Sequence, residues 1–325
     1  MHCIISDHTD PYFNLASEEV LLRSRTEDYF LIYRNRPSIV VGKHQNTLAE
    51  INLPYVDENG IIVVRRISGG GTVFHDMGNL NFAFITSGKE GELVDYKQHT
   101  LPIIAAMKNL GLDVSLGKRN ELLLGKKKIS GTASHVFKNR VMHHGTLLFS
   151  SEMKDLSSAL KVKAGKFEDR AVKSVRSEVT NICDHLDEQM EIDDFQKLLF
   201  ESVRASLKAI RYSYSEEDLR EISELTRSKF STWEWNFGYS PRYQFNKVLQ
   251  YGEGKISIHM NVVKGIIQEI TIRGDFIGSQ DIQILEELLT GNIHDPQTIR
   301  TRLSTIKVEA YIDGLGNEML LSGMF

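Results

Sequence analysis

Between Arg65 and Ile85 the chain reads RRISGGGTVFHDMGNLNFAFI. The two arginines follow Ile61 to Val64, a continuous apolar run of the kind a buried strand needs. Three glycines come next, and from Asn79 polar and apolar residues alternate with period two, which predicts a strand over 79–85 with one buried face. Glycine admits backbone conformations closed to other residues, and it lets a ligand approach main-chain N–H groups with no Cβ in the way. Taken alone, a glycine triplet beside an arginine pair reads as a solvated hairpin tip. The segments around it point instead to a ligand cradle.

Upstream, Tyr29 to Arg34 and Ser38 to Val41 read as short strands, and Pro11 to Arg25 as a helix capped around Asn14, Ser17 and Glu18. Downstream, Gln98 to Leu110 has the pattern of an amphipathic helix stopped by Gly111. Glu121 to Leu124, Lys128 to Thr132 and Gly145 to Phe149 read as strands, with a polar turn at Gly125, Lys126 and Lys127. Strands and helices intermix without a βαβ rhythm. The prediction is an α+β fold: a large domain of mixed or antiparallel sheets with flanking helices. The texture turns helical over Asp194 to Ile210 and Ser215 to Lys229. Both tryptophans, Trp233 and Trp235, then fall in STWEWNFGYSP, read as the start of a connection. Lys255 to Val263 and Ile266 to Ile272 flank Lys264 and Gly265 as a hairpin, followed by helices near Asp281 to Leu289 and Pro296 to Ser304. This gives a catalytic domain over 1–236, a linker over 237–241 and a small α+β domain over 242–325.

The 325 residues, 41% hydrophobic and 25% charged, have an ordinary globular composition and a length that suits two domains. A net charge of −4 provides no global field for a nucleic-acid backbone or an anionic membrane. Without a run of ~18 apolar residues or a leader-like start, the chain reads as cytoplasmic, with no membrane partner. Cys3 and Cys183 stand apart from any CxxC or Cys/His cluster, so reduced thiols are expected.

Several segments invite chemical readings. His75 and Asp76 lack the second histidine cluster that a metal pair would need. Gly111 to Arg119 has one residue too many between its glycines for a P-loop, and Arg119 stands where Ser or Thr should bind magnesium. His143 and His144 are adjacent on a strand, so at most one faces any site. Lys126 and Lys127 read as a solvated turn. Lys128 differs, because alternation puts it on one face with Ser130 and Thr132, opposite Ile129 and Gly131. A lysine there can span a carboxylate and an α-phosphate, the two anionic groups that acyl-adenylate formation brings together.

With these residues in view, eight blocks resemble the lipoate–protein ligases of the biotin/lipoate ligase superfamily, bacterial type with a C-terminal accessory domain. They are ISDHTDPYFNLASEE (from Ile5), VVGKHQNTLAE (Val40), RRISGGGTVFHDMGN (Arg65), RNELLL (Arg119), KKISGTA (Lys127), HHGTLL (His143), KSVRSEVTNI (Lys173) and STWEWNFG (Ser231). The resemblance implies that lipoate and Mg-ATP form lipoyl-AMP. A lysine of an apo lipoyl domain, on a 2-oxoacid dehydrogenase E2 subunit or the glycine cleavage H protein, then takes the acyl group. It implies Lys128 as the catalytic residue, and Arg66, Ser68, Gly69, Gly70, Gly71, His75 and His144 as the lipoate site. It implies ATP or adenylate contacts from Thr72, Val73, Asn79, Asn120, Glu121, Lys128, Ser130, Gly131, Ala133 and Gly145, and from the closing loop through Ser174, Val175, Arg176, Ser177 and Val179. Asn120 and Glu121 match a position that is commonly Asn-Asp, assigned to Mg2+ either directly or one layer out; here the carboxylate is one methylene longer.

The resemblance also sorts the neighbouring activities. Octanoyl transferases of the superfamily use a cysteine, and neither Cys3 nor Cys183 stands at that position. The biotin branch carries a GRGRxGR-like signature that is absent here. A lipoyltransferase working only from preformed lipoyl-AMP is the runner-up reading, and a non-catalytic lipoate-binding protein is the third.

Overall fold

The alternating stretch forms the strand Asn79–Ser87, third in a six-stranded sheet ordered Thr132–Phe137, Arg140–Leu148, Asn79–Ser87, Tyr29–Arg34, His2–Ile5, Ile210–Arg211. Its pairings on both sides are antiparallel, whereas His2–Ile5 runs parallel to both its neighbours. The sheet is therefore mixed, as the α+β expectation had it. The computed structural model describes residues 1–89, 91, 93–160, 167–175 and 177–325.

One face of the sheet carries Phe30, Ile32, Phe82, Phe84 and Leu147, packed with Ile103 and Met107 of helix Tyr96–Asn109 and with Phe195 and Leu199 of helix Ile192–Ser206. The opposite face carries Tyr33, Asn81, Ala83, His144 and Thr146, beneath helix Pro11–Ser24. Two layers thus cover the central strand, and every residue from Asn79 to Ile85 is buried. This corrects the single buried face predicted from the alternation: the asparagines face a second protein layer, where Asn79 Nδ2 donates to Asn81 Oδ1 at 2.9 Å. The helix cap is also corrected. Asp10 caps Pro11–Ser24, accepting from the Tyr12 N–H, while Asn14 lies inside the helix with its side chain buried.

A three-stranded sheet, Ile62–Arg65, Ser38–Val41 and Val73–His75, holds the glycine loop between its outer strands. Another joins Val114–Leu116, Leu122–Leu124 and Lys127–Ser130 through the turn at Gly125. These elements belong to a unit built from 1–43, 56–160 and 174–232.

The second unit contains His44–Tyr55, 167–173 and Trp233–Phe325. Its four-stranded antiparallel sheet runs Phe167–Asp169, Tyr243–Tyr251, Gly254–Val263, Ile266–Gly274, and buries Phe245, Ile258 and Ile272 with Leu285, Leu289, Ile299 and Leu320 from three helices. The predicted hairpin closes through Lys264 and Gly265, both at positive φ (52° and 73°), the geometry a two-residue turn of this hand requires. The stretch read as a connection packs inside this unit. Trp233 lies against Gly238 and Gly265, and Thr47 Oγ1 donates to Asn236 O at 2.6 Å. Among the described residues, no helix is long and apolar enough to cross a membrane.

Candidate active site

The glycine loop is organised by Arg66, which is buried rather than solvated. Its Nη2 donates to the carbonyls of Gly69 and Gly71 (2.7 Å each), its Nη1 to Val40 O (3.0 Å) and its Nε to Ser68 Oγ (3.0 Å). The loop's carbonyls are thus turned toward the guanidinium. Gly70 adopts φ 91°, and a Cβ there would stand 3.0 Å from Arg66 Nη2, so the residue type is set by both conformation and space. Burial pulls Arg66 down to about 10, with Glu18 opposing. Arg65, also buried, holds Gly42 O and Lys43 O with Nη1.

Ser68 passes this network inward. Its Oγ lies 2.6 Å from His144 Nε2, and His144 Nδ1 lies 2.9 Å from the carboxylate of Glu18, which also accepts from the Tyr33 hydroxyl at 2.9 Å. Since Glu18 accepts, the His144 proton belongs on Nδ1, and Nε2 accepts from Ser68. His75 borders the same group, with Asn35 Nδ2 3.0 Å from its Nδ1. Burial, with the nearby Arg66 guanidinium adding to it, pushes His75 down to about 3.

Lys128 stands beyond Arg66, whose charge it feels. Its backbone is tied to the segment 178–180: its N–H donates to Glu178 O (2.9 Å) and its carbonyl accepts from Thr180 N–H (3.1 Å), forming a bridge opposite Val179. A Cβ on Gly131 would stand 3.3 Å from Lys128 Nζ, so the ammonium folds back over that glycine. Gly131 N–H donates to Thr146 Oγ1 (3.1 Å), and Gly145 packs so closely that a Cβ would meet Phe82 at 2.6 Å and Gly131 O at 3.0 Å. Lys128 Nζ has no hydrogen-bond or salt-bridge partner among the described residues. Burial pulls its pKa below the usual lysine value, and Glu121 opposes the shift. Burial also opposes ionisation of Glu121, but the N–H groups of Glu121 and Arg119, with the charges of Arg119 and Lys128, hold its carboxyl below the usual range. The preceding residue, Asn120, sits at φ 64° with its carbonyl accepting from Thr132 Oγ1.

Residues 10–204 match the family model for the lipoyl protein ligase A/B catalytic domain, and 240–323 that for the bacterial lipoate protein ligase C-terminus. The chain belongs to the lipoate–protein ligase family. It is 40% identical to lipoate–protein ligase 1 of Staphylococcus aureus and 39% identical to lipoate-protein ligase LplJ of Bacillus subtilis, in each case across 96% of both chains. Three solved structures each match 73% of this ligase-family chain at a TM-score of 0.63. Two are Thermoplasma acidophilum proteins: a putative lipoate protein ligase with bound lipoic acid (26% identity, 98% of that chain), and a bi-partite ligase studied with its E2 lipoyl domain (25%, 96%). The third is lipoate-protein ligase A bound with ATP (27%, 98%).

In this member of the ligase family, Arg66 joins Ser68, Gly69 and Gly71, Ser68 joins His144, and Lys128 pairs with Val179 and feels the charges of Arg66 and Glu121. Ser174 Oγ accepts from Thr72 N–H (2.9 Å) and would lie 3.1 Å from a Cβ on Gly71. Ser177 Oγ accepts from Arg119 Nη2 (3.3 Å). Val73 opens the strand that pairs with Val40, Ala133 lies opposite His144, Ser130 is buried beside Gly131, and Asn79 is buried beside Asn81. Val175 is 69% exposed, and Arg176 lies outside the described residues. His143 faces away from His144 and stacks on His99, with ring centroids 4.0 Å apart. Sequence reasoning missed Glu18, Tyr33, Asn35, Asn81 and Thr146 as parts of this site. Glu18 stood inside a quoted block, but nothing local marks it as the partner of a histidine 126 residues away.

Proposed function

We propose that this chain activates lipoate with ATP and transfers the lipoyl group to a lysine of an apo lipoyl domain, in the cytoplasm. Family membership supports this reading, and one observation carries it: a half-buried ammonium at Lys128 that has no partner among the described residues and feels the charges of Arg66 and Glu121. In the first step a lipoate carboxylate oxygen attacks the α-phosphorus of ATP, the bond from that phosphorus to the bridging oxygen breaks, and pyrophosphate leaves. Lys128 offsets the repulsion between the approaching carboxylate and the α-phosphate, and the charge that then builds on the phosphoryl oxygens, from a half-buried position where water screens it less. In the second step the acceptor's ε-amine attacks the acyl carbonyl, the C–O bond to AMP breaks, AMP leaves, and the amine proton passes to solvent.

Arg66, Ser68, Gly69, Gly70, Gly71, His75 and His144 hold the lipoyl chain on this reading. Thr72, Val73, Asn79, Ser130, Ala133, Gly145 and the loop 174–179 hold the nucleotide, and all of these lie within 1–236, with 242–325 as the accessory part. Magnesium would accompany ATP as the counterion of its phosphates. Glu121, a carboxylate held in its charged form, suits a single protein contact to it, with Asn120 beside it, and the ion would add charge neutralisation at the phosphates. The acceptors are lipoyl domains of E2 subunits and the H protein. Incubation with lipoate, Mg-ATP and an apo lipoyl domain should release pyrophosphate and add one lipoyl mass to the acceptor. Modification from supplied lipoyl-AMP alone, with no pyrophosphate from lipoate and ATP, would reduce the chain to a transferase.

A further inference from the structure

His75 is buried, and its two ring nitrogens are in different situations. A chain of amides decides which one carries the proton. Ser6 Oγ donates to Asn14 Oδ1 (3.0 Å), which leaves the Asn14 amide nitrogen as donor to His8 O (2.7 Å) and to Asn35 Oδ1 (2.8 Å). Asn35 then presents its own amide N–H to His75 Nδ1 at 3.0 Å. A nitrogen that accepts is unprotonated, so in the neutral ring the proton sits on Nε2. Among the described residues Nε2 is buried without a partner. The two groups whose electrostatic influence reaches His75 are spoken for: Arg66 by loop carbonyls, and His144 by Ser68 and Glu18. Among the described residues the Ser38 hydroxyl, on the residue paired with His75 across its sheet, is also unpartnered, as is Asn81 Nδ2 in the six-stranded sheet, whose cross-strand partner Thr146 holds Gly131 beside Lys128.

A buried donor with no acceptor is costly, and such groups in native proteins call for an explanation. Lipoate has two kinds of acceptor: its carboxylate oxygens, for which Lys128 is placed, and the two sulfurs of its ring. We propose that His75 Nε2–H donates to a dithiolane sulfur of the bound substrate, and that Asn35 is the positioning residue that fixes the tautomer. This rests on the lipoate-ligase reading above. A sulfur-bearing acyl chain then satisfies the donor, whereas a plain fatty acyl chain of the same length leaves it facing methylenes. A site built around a donor rejects a ligand lacking the acceptor more strongly than an apolar pocket rejects an extra atom. Divalent sulfur, as in this cyclic disulfide, accepts weakly, so the discrimination is modest.

The test compares kcat/KM for lipoate and for octanoate, with Mg-ATP and an apo lipoyl domain, in the native chain, His75→Phe, His75→Gln and Asn35→Leu. The lipoate-to-octanoate ratio should fall roughly 5- to 10-fold in His75→Phe and Asn35→Leu, and His75→Gln, which keeps an N–H, should recover part of it. An unchanged ratio in folded variants overturns the proposal, because a purely structural role for Asn35 would not distinguish the two acids. Nitrogen NMR of the native imidazole should show His75 protonated on Nε2, and protonation on Nδ1 would equally overturn it, whatever the variants do. If the native chain ligated neither acid, the ligase reading would fall. The ratio of lipoate to octanoate dissociation constants, measured by calorimetry in the same variants, would then decide the role of His75 separately.

Discussion

His75 in the pocket and His294 in the core of the second unit are both buried histidines, and burial pushes both below the usual imidazole range, to about 3 and about 4. Their hydrogen bonding separates them. His294 has its Nδ1 2.7 Å from the Tyr243 hydroxyl and its Nε2 2.6 Å from Met324 O, so each nitrogen is partnered. His75 has one partner and one orphan. Two lysines repeat the contrast: Lys229 Nζ donates to Glu19 at 2.5 Å, whereas Lys128 Nζ has no partner among the described residues. A saturated buried polar group serves the fold, and an unsaturated one on a cleft is available to a ligand.

The largest effect should come from Lys128→Ala. Pyrophosphate release should fall by roughly 10³-fold with little change in melting temperature, as expected when a charge that acts on the transition state is removed. Lys229→Met should do the reverse, keeping turnover and losing stability; equal losses of turnover in the two variants would dissolve the contrast.

Next, His294→Ala should cost about 2–4 kcal/mol by chemical denaturation, since it opens a cavity and strands the Tyr243 hydroxyl and the Met324 carbonyl. The lipoate-to-octanoate ratio should not move, and a shift in it would undo the assignment of His294 to structure.

A comparable effect concerns pH. Burial pushes His294 down to about 4 from the ordinary value of 6.5 that holds in the unfolded chain, so the unfolded chain binds the extra proton between these values. Its contribution is complete above pH 6.5 and is lost as pH falls toward 4, at up to about 1.4 kcal/mol per unit. Denaturant midpoints at pH 7, 5.5 and 4 should drop accordingly, less steeply in His294→Phe; equal slopes would mean that the histidine is charged in the folded state.

Much of the scaffold was legible locally. Tyr29–Arg34 and Ser38–Val41 form the strands their β-branched and aromatic composition indicates, and Lys264–Gly265 makes the expected turn, with Gly265 taking positive φ at no steric cost. The strand at 79–87 was legible in type but not in burial, since alternation records polarity and says nothing of a second layer that hydrogen-bonds the polar side. The strand Tyr243–Tyr251 and the helix Asn317–Gly323 went unread.

The amino-acid sequence by itself determined the glycine loop, the lysine of KISGTA and the order of blocks that identifies the ligase family, because these depend on local conformation and on contiguous motifs. Tertiary structure alone decided that Glu18, Tyr33, Ser68 and His144 share one desolvated network, and that Asn14 and Asn35 set the proton on His75. Those partners come from separate strands and a helix. Their meaning arises only where long-range pairing excludes water, since there a single unmatched N–H or ammonium becomes costly enough to select what binds.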